Sequence, residues 1–143
     1  GGVVAATSFA RQCLADAAAY SKRRRTFGKP LREHQVIRAK LAEMARVVAS
    51  CDALVDQLAL EMSSADARTD HARLGARIAL AKVHATRSVE LCAREASQVF
   101  GGNAYLRSGP GARVERIYRE VRVLAIGGGS EEVLMDRVAR SCL

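Results

Sequence analysis

Between Ile37 and Met62, apolar side chains recur four and three residues apart, at Ile37, Leu41, Met44, Val48, Cys51, Val55, Leu58 and Met62. An α-helix gathers such positions into one stripe. A stripe that alternates by four and three is the seam along which long helices pack side by side. A free two-stranded coiled coil shows the same seam, but its neighbouring segments have no apolar face of their own. Here the flanking segments are amphipathic too, so the seam is expected to pack within the chain.

The segments on either side complete a set of helices. A first helix is expected from about Val3 to Arg25, with Phe9, Cys13, Ala17 and Tyr20 on one face. Phe27-Gly28 stops it, and Pro30 would occupy the first turn of the seam helix, where proline is tolerated. After a polar connection from Ser63 to Asp70, a third long helix turns Leu74, Ile78, Ala81, Ala85, Val89, Cys92, Ala96 and Val99 inward. Its many alanines allow close approach of backbones. Gly101-Gly102-Asn103 ends it. An irregular stretch from Leu106 to Gly111 leads to a shorter helix from about Ala112 to Leu124. Gly127-Gly128-Gly129 breaks the chain again. Ser130 then caps a last helix, with Glu131 and Glu132 in its first turn, where carboxylates favour the helix dipole. With only 4% aromatic residues, no Trp and two Pro, the composition favours helices over a sheet. The expected fold is all-α: an up-and-down four-helix bundle with an additional C-terminal helix, one domain over residues 1–143.

Several function classes drop out. No apolar run is long enough to span a bilayer and no signal-peptide pattern opens the chain, so no membrane partner is expected and the protein reads as soluble and cytoplasmic. Cys13, Cys51, Cys92 and Cys142 lie far apart with no CxxC pair, and read as buried free thiols. His34, His71 and His84 fall on different segments without metal-ligand spacing, so no metal site is expected. The triple glycine lacks the lysine of a phosphate loop, and two carboxylates follow it directly. No catalytic constellation is complete within the chain. The net charge is +8, much of it at Lys22, Arg23, Arg24, Arg25, Lys29 and Arg32. Such a local cluster suits a local anion better than a nucleic-acid stripe, and it lacks the interleaved aromatics of a single-strand binder.

Three segments resemble a known family. YSKRRRTFGKPLREHQ from Tyr20 to Gln35 resembles the Arg-x-x-Phe-Gly-Lys segment of acyl-CoA dehydrogenases. QVFGGNAY from Gln98 to Tyr105 resembles their Gln-…-Gly-Gly-x-x-Tyr segment, and Val114 to Arg140 resembles their closing helices and the turn between them. Order and spacing match over essentially the whole chain. The resemblance implies the C-terminal helical domain of a three-domain enzyme that uses FAD. The chain opens at Gly1 already within a helical pattern, which reads as a cut edge and so as a fragment.

Carried over by position, the resemblance places Arg24 at the FAD pyrophosphate, with Phe27 and Gln35 beside the dinucleotide. Gln98, Gly101 and Gly102 would meet the adenosine side from the partner subunit. Ser130 and Glu132 would lie near the other end of the cofactor. The implied reaction is α,β-dehydrogenation of an acyl-CoA thioester, with electrons passed to an electron-transfer acceptor and the protein assembled as a homodimer or homotetramer. An acyl-carrier-protein thioester of a biosynthetic pathway is the alternative substrate, and a non-catalytic oligomerisation or nucleic-acid-binding bundle the alternative role.

One departure from the family pattern stands out. Most members carry their catalytic Glu in the turn before the final helix, where this chain has Gly128, and glycine cannot accept a proton. Glu131 and Glu132 would reach that position only by slipping a well-matched register. The chain resembles instead the long-chain and isovaleryl-CoA dehydrogenases, which take their Glu from the start of the first bundle helix. Here that position falls just before Gly1. No catalytic residue is therefore expected within residues 1–143, and the isolated chain is expected neither to hold FAD firmly nor to turn over.

Overall fold

A computed structural model describes residues 2–142, with the side chain of Cys142 outside the described part. The elements are α1 (Gly2–Arg23), β1 (Arg25–Thr26), β2 (Lys29–Pro30), a 3-10 turn (Leu31–Glu33), α2 (Gln35–Ser63), α3 (His71–Phe100), a second 3-10 turn (Gly101–Tyr105), α4 (Ala112–Ile126) and α5 (Glu131–Cys142). The expected helices are all present.

Cross-helix contacts fix their directions. Lys40 of α2 meets Glu95 of α3 at 2.5 Å, and Glu61 of α2 meets Arg77 of α3 at 2.9 Å, so α2 and α3 run antiparallel. Tyr20 near the end of α1 stacks on Phe100 at the end of α3, with ring centroids 4.3 Å apart. Helices α1 and α3 are therefore parallel. On α4, Arg113 pairs with Asp16 of α1 at 3.1 Å, while Arg122 pairs with Glu90 of α3. The four helices alternate up, down, up, down, as expected.

Helix α3 is the axis of the fold. At 30 residues it is about 45 Å long. Helix α4 lies along its second half. Helix α5 covers its first half, where Leu134 and Val138 pack on Ala76 and Ala79. The glycine turn between α4 and α5 thus lies partway along α3. Asp70 caps the start of α3 by accepting from the backbone N–H of Arg73 at 3.0 Å.

The seam on α2 behaves as its spacing predicts along most of its length. Ile37, Met44, Val48, Cys51 and Leu58 are buried, and Leu41 and Val55 are half-buried. Met62 is not: it is 58% exposed, because α2 there runs beyond its neighbours into the α2–α3 connection. On α1 the expected face is rotated. Cys13, Ala17 and Tyr20 are buried, but Phe9 is 41% exposed and Ala6 and Ala10 take the inward positions. The reason is steric. α1 packs on the alanine-rich face of α3, where only small side chains let two backbones approach.

Cys13, Cys51 and Cys92 are free and buried, as expected. Burial pushes the thiols of Cys13 and Cys92 up to about 12 and raises Cys51 as well. They serve as core, not as nucleophiles. The fourth expected thiol, Cys142, lies outside the described side chains.

The α1–α2 junction corrects a third expectation. Pro30 is not in the first turn of α2; it sits in β2, opposite Arg25. Residues 25–30 form a two-residue hairpin with Phe27 (φ 50°) and Gly28 (φ 79°) at its tip. Both φ values are positive, as a type I′ turn requires. Helix α2 begins only at Gln35, after His34 closes the 3-10 turn.

Candidate functional site

Four interactions place Arg24 against the end of α3. The Tyr20–Phe100 stack locks the two helix ends together. The Asn103 side-chain amide donates to the Tyr20 hydroxyl at 2.9 Å. Beyond the helix, the Arg24 backbone N–H donates to Tyr20 O at 2.9 Å, and Leu31 N–H donates to Arg24 O at 2.8 Å. The hairpin is anchored separately, with His34 Nε2 lying 3.2 Å from both Thr26 Oγ1 and Thr26 O.

The result is an open cleft of about 470 Å³, lined by Arg24, Thr26 and Leu31 on one side and by Gln98, Gly101 and Gly102 on the other. Arg24 forms no ion pair among the described residues, so its forked donors are free. Bare backbone at Gly101 and Gly102 admits a ligand closely, since nothing lies within 4 Å of where a Cβ would stand. A planar guanidinium facing exposed backbone suits a phosphate ester.

The structure thus brings together four expected site residues: Arg24, Gln98, Gly101 and Gly102. Phe27 and Gln35 stand apart from the cleft wall. Phe27 is 96% exposed at the hairpin tip, in the left-handed region that a bulky residue occupies at a cost of about 1–2 kcal/mol. Gln35 is exposed at the first residue of α2. Thr26, Leu31 and Asn103 complete the cleft and were not singled out from sequence. Nothing but proximity in the fold marks them.

Ser130 and Glu132 form a second group, on the turn into α5. The Glu132 carboxyl is held below the usual carboxylate range by its own backbone N–H and by the Ser130 hydroxyl. Glu131 reaches back to α3, 3.1 Å from Arg87 Nε, and accepts from the Thr86 hydroxyl at 3.3 Å. Gln98 lies sixteen residues beyond Lys82, the α3 residue that touches this turn, or roughly 24 Å along the helix. Six of the eight expected residues therefore fall into two stations on one chain, with Phe27 and Gln35 apart from both. Gln98 and Arg24 of one chain line the same cleft.

A larger hollow lies elsewhere. It is an apolar groove of about 660 Å³ between α1 and α4, lined in part by Phe9, Ile117 and Val123. It contains none of the expected site residues. Among the described residues, no group of His, Cys, Asp or Glu is placed to hold a metal ion, and no helix is long and apolar enough to cross a membrane.

Comparison with known proteins matches the sequence and the fold. The acyl-CoA dehydrogenase C-terminal domain family matches residues 2–143. An acyl-CoA dehydrogenase of Alternaria alternata is 46% identical over 129 residues, covering 89% of this chain and 30% of its own length. The crystal structure of a probable acyl-CoA dehydrogenase from Mycobacterium abscessus superposes with a TM-score of 0.89 at 33% identity, covering 100% of this chain and 36% of that one. Butyryl-CoA dehydrogenase from Megasphaera elsdenii gives a TM-score of 0.89 at 31% identity, over 99% of this chain and 35% of that one. The chain spans about a third of the length of these relatives. By sequence and by fold alike, it belongs to the acyl-CoA dehydrogenase family, as the C-terminal helical domain.

Proposed function

We propose that this domain holds FAD for the α,β-dehydrogenation of an acyl thioester, with Arg24 and the Gln98–Gly102 backbone as the seat of the dinucleotide. The observation that carries the reading is the cleft that sets an unpaired guanidinium against two open glycines. Arg24 binds the pyrophosphate through paired, charge-assisted hydrogen bonds, and Gln98 fixes the adenosine side. Phe27 and Gln35 border the dinucleotide from the hairpin. Ser130 and Glu132 serve the far end, and the distance between the stations is why one cofactor draws on two copies of the bundle. Exposed Val36, Leu60 and Met62 on α2 supply apolar surface for such a homodimer or homotetramer.

When bound, FAD supplies the hydride acceptor. The chain's own residues bind and orient; none of them removes the α-proton. Gly128 has no side chain to do so, and Glu131 is committed to Arg87. We assign the base to a carboxylate outside residues 1–143, as in the long-chain and isovaleryl-like subgroup. Gly128 also leaves open space where a side chain would stand, which fits a long, branched or bulky acyl group.

The test is reduction of the flavin in the intact polypeptide, with oxygen excluded, by coenzyme A thioesters and by carrier-protein thioesters. The expected result is bleaching of the flavin with formation of one enoyl thioester per flavin, faster with the coenzyme A series. Bleaching confined to the carrier-protein series would move the substrate class. An unchanged flavin spectrum with both would refute the reading.

A further inference from the structure

The hairpin between α1 and α2 is a ribbon with two faces, and its register assigns each residue to one of them. Arg25 stands opposite Pro30, and Thr26 opposite Lys29. The pairing runs one rung further, because Leu31 N–H donates to Arg24 O at 2.8 Å. Side chains alternate along each strand, and directly opposed residues share a face. Arg24, Thr26, Lys29 and Leu31 therefore belong to one face, and Arg25 and Pro30 to the other. Arg24, Thr26 and Leu31 line the cleft at the end of α3. Lys29 completes their face.

The cations of the two faces are used differently. On the outer face, the Arg25 guanidinium donates to Gly28 O at 2.7 Å and so braces the hairpin tip. On the cleft face, neither Arg24 nor Lys29 forms an ion pair among the described residues, and Lys29 is exposed on a long, flexible stem. At about 3.3 Å per residue, the two rungs between them place Lys29 roughly 7 Å beyond Arg24 along the ribbon, toward the tip. Arg24 is the nearer of the two to the Tyr20–Phe100 stack, and so to Gln98, Gly101 and Gly102. A guanidinium fork satisfies one phosphate through two parallel hydrogen bonds. The second phosphate of a pyrophosphate carries its own charge, and a lysine ammonium serves such a group as a point charge.

We propose that Lys29 holds the second phosphate of the dinucleotide: Arg24 takes the phosphate next to the adenosine, and Lys29 takes the one beyond it. Two cations in line along one wall make the cleft selective for a pyrophosphate over a monophosphate. A diffuse positive field from the surrounding Lys22, Arg23 and Arg32 would attract both kinds of ligand without telling them apart. This inference rests on the reading of the cleft as the FAD seat.

Titrations of the intact apoprotein with FAD, ADP and AMP test it. Lys29→Gln is expected to weaken FAD and ADP by about 3- to 20-fold and AMP by less than about twofold, while Lys29→Arg keeps most of the affinity. Lys22→Gln is the control for charge alone. It removes an equal charge from the flank of α1 that lies about 200° round the helix from Tyr20, and should leave all three ligands within about twofold. An equal loss for ADP and AMP in Lys29→Gln, or a Lys22→Gln loss as large, would overturn the contact in favour of a diffuse field. A Lys29→Gln protein that binds FAD within about twofold of the parent, where Arg24→Ala weakens it, would also overturn the contact and leave the FAD seat in place. A parent that binds neither FAD nor ADP would defeat the FAD reading, and with it the role given to Lys29.

Discussion

Replacing Met44 by alanine is expected to destabilise the domain by about 2–5 kcal/mol, a large share of the roughly 5–15 kcal/mol of a typical domain. Met44 is fully buried on α2, and it belongs to the same core as Cys13 of α1, Cys92 of α3 and Val114 of α4. The Cys92 thiol lies over its carbonyl at 3.9 Å. Its long side chain fills the space between helices whose other contacts are small, since α1 contributes Ala6, Ala10 and Ala17 and α3 contributes Ala85, Ala93 and Ala96. Alanines cannot extend to fill a void, and the backbones are already close. The cavity would therefore persist, which puts the cost toward the upper part of the range. Thermal unfolding should show a midpoint lowered by roughly 6–15 °C. Met44→Leu, which conserves volume, should cost less than about 1.5 kcal/mol. A Met44→Ala midpoint within about 2 °C of the parent would show that the core collapses around the site, contrary to this packing.

Gly111→Ala is the second large effect, and it joins stability to the cleft proposed for the cofactor. A Cβ at Gly111 would stand 2.4 Å from Asn103 O and 2.8 Å from Ala104 N. Both atoms are backbone, so no rotamer change relieves the clash. Asn103 is the residue that ties the second 3-10 turn to Tyr20, and it follows Gly101 and Gly102 directly. Overpacking typically costs about 1–3 kcal/mol, and a backbone clash belongs at the top of that range. The displacement would pass into the cleft, so FAD affinity should fall together with thermal stability. A Gly75→Ala control meets only the Arg137 guanidinium, the far end of a flexible side chain, and should leave the cleft alone. Should Gly111→Ala lower stability yet leave FAD affinity untouched, the link from Asn103 to the cleft would be wrong.

Periodicity carried the helices because burial on a bundle face is a one-dimensional property. The four-and-three spacing of α2 needed no knowledge of its partners. Phe9 shows the limit. Two stripes run along α1, and the one that faces α3 is Ala6, Ala10, Cys13, Ala17 and Tyr20, itself spaced four and three. Hydrophobicity alone favours the phenylalanine, whereas the partner surface admits only small residues. Pro30 was misplaced for a local reason: a type I′ hairpin asks for two positive φ values, and Phe27 is not a residue that announces one. Arg24, Gln98 and the glycine pairs were legible only as segments in order. Their convergence on one cleft depends on Tyr20 meeting Phe100 across eighty residues. Lys82 and Gly111 left no mark in the sequence. One looks like any helical lysine and the other like any loop glycine until the α4–α5 turn and Asn103 are set beside them.

The central claim is that Arg24 and the end of α3 seat the dinucleotide, and an FAD titration of the intact apoprotein tests it most directly. A charge-assisted hydrogen-bond pair to phosphate is worth about 1.5–3 kcal/mol, so Arg24→Ala should weaken FAD binding by roughly 10- to 150-fold. Arg24→Lys, which keeps the charge and loses the fork, should fall between the two. Thermal stability without FAD should be unchanged, because Arg24 is exposed and holds no ion pair among the described residues. If Arg24→Ala instead binds FAD as tightly as the parent, the cleft is not where the cofactor sits.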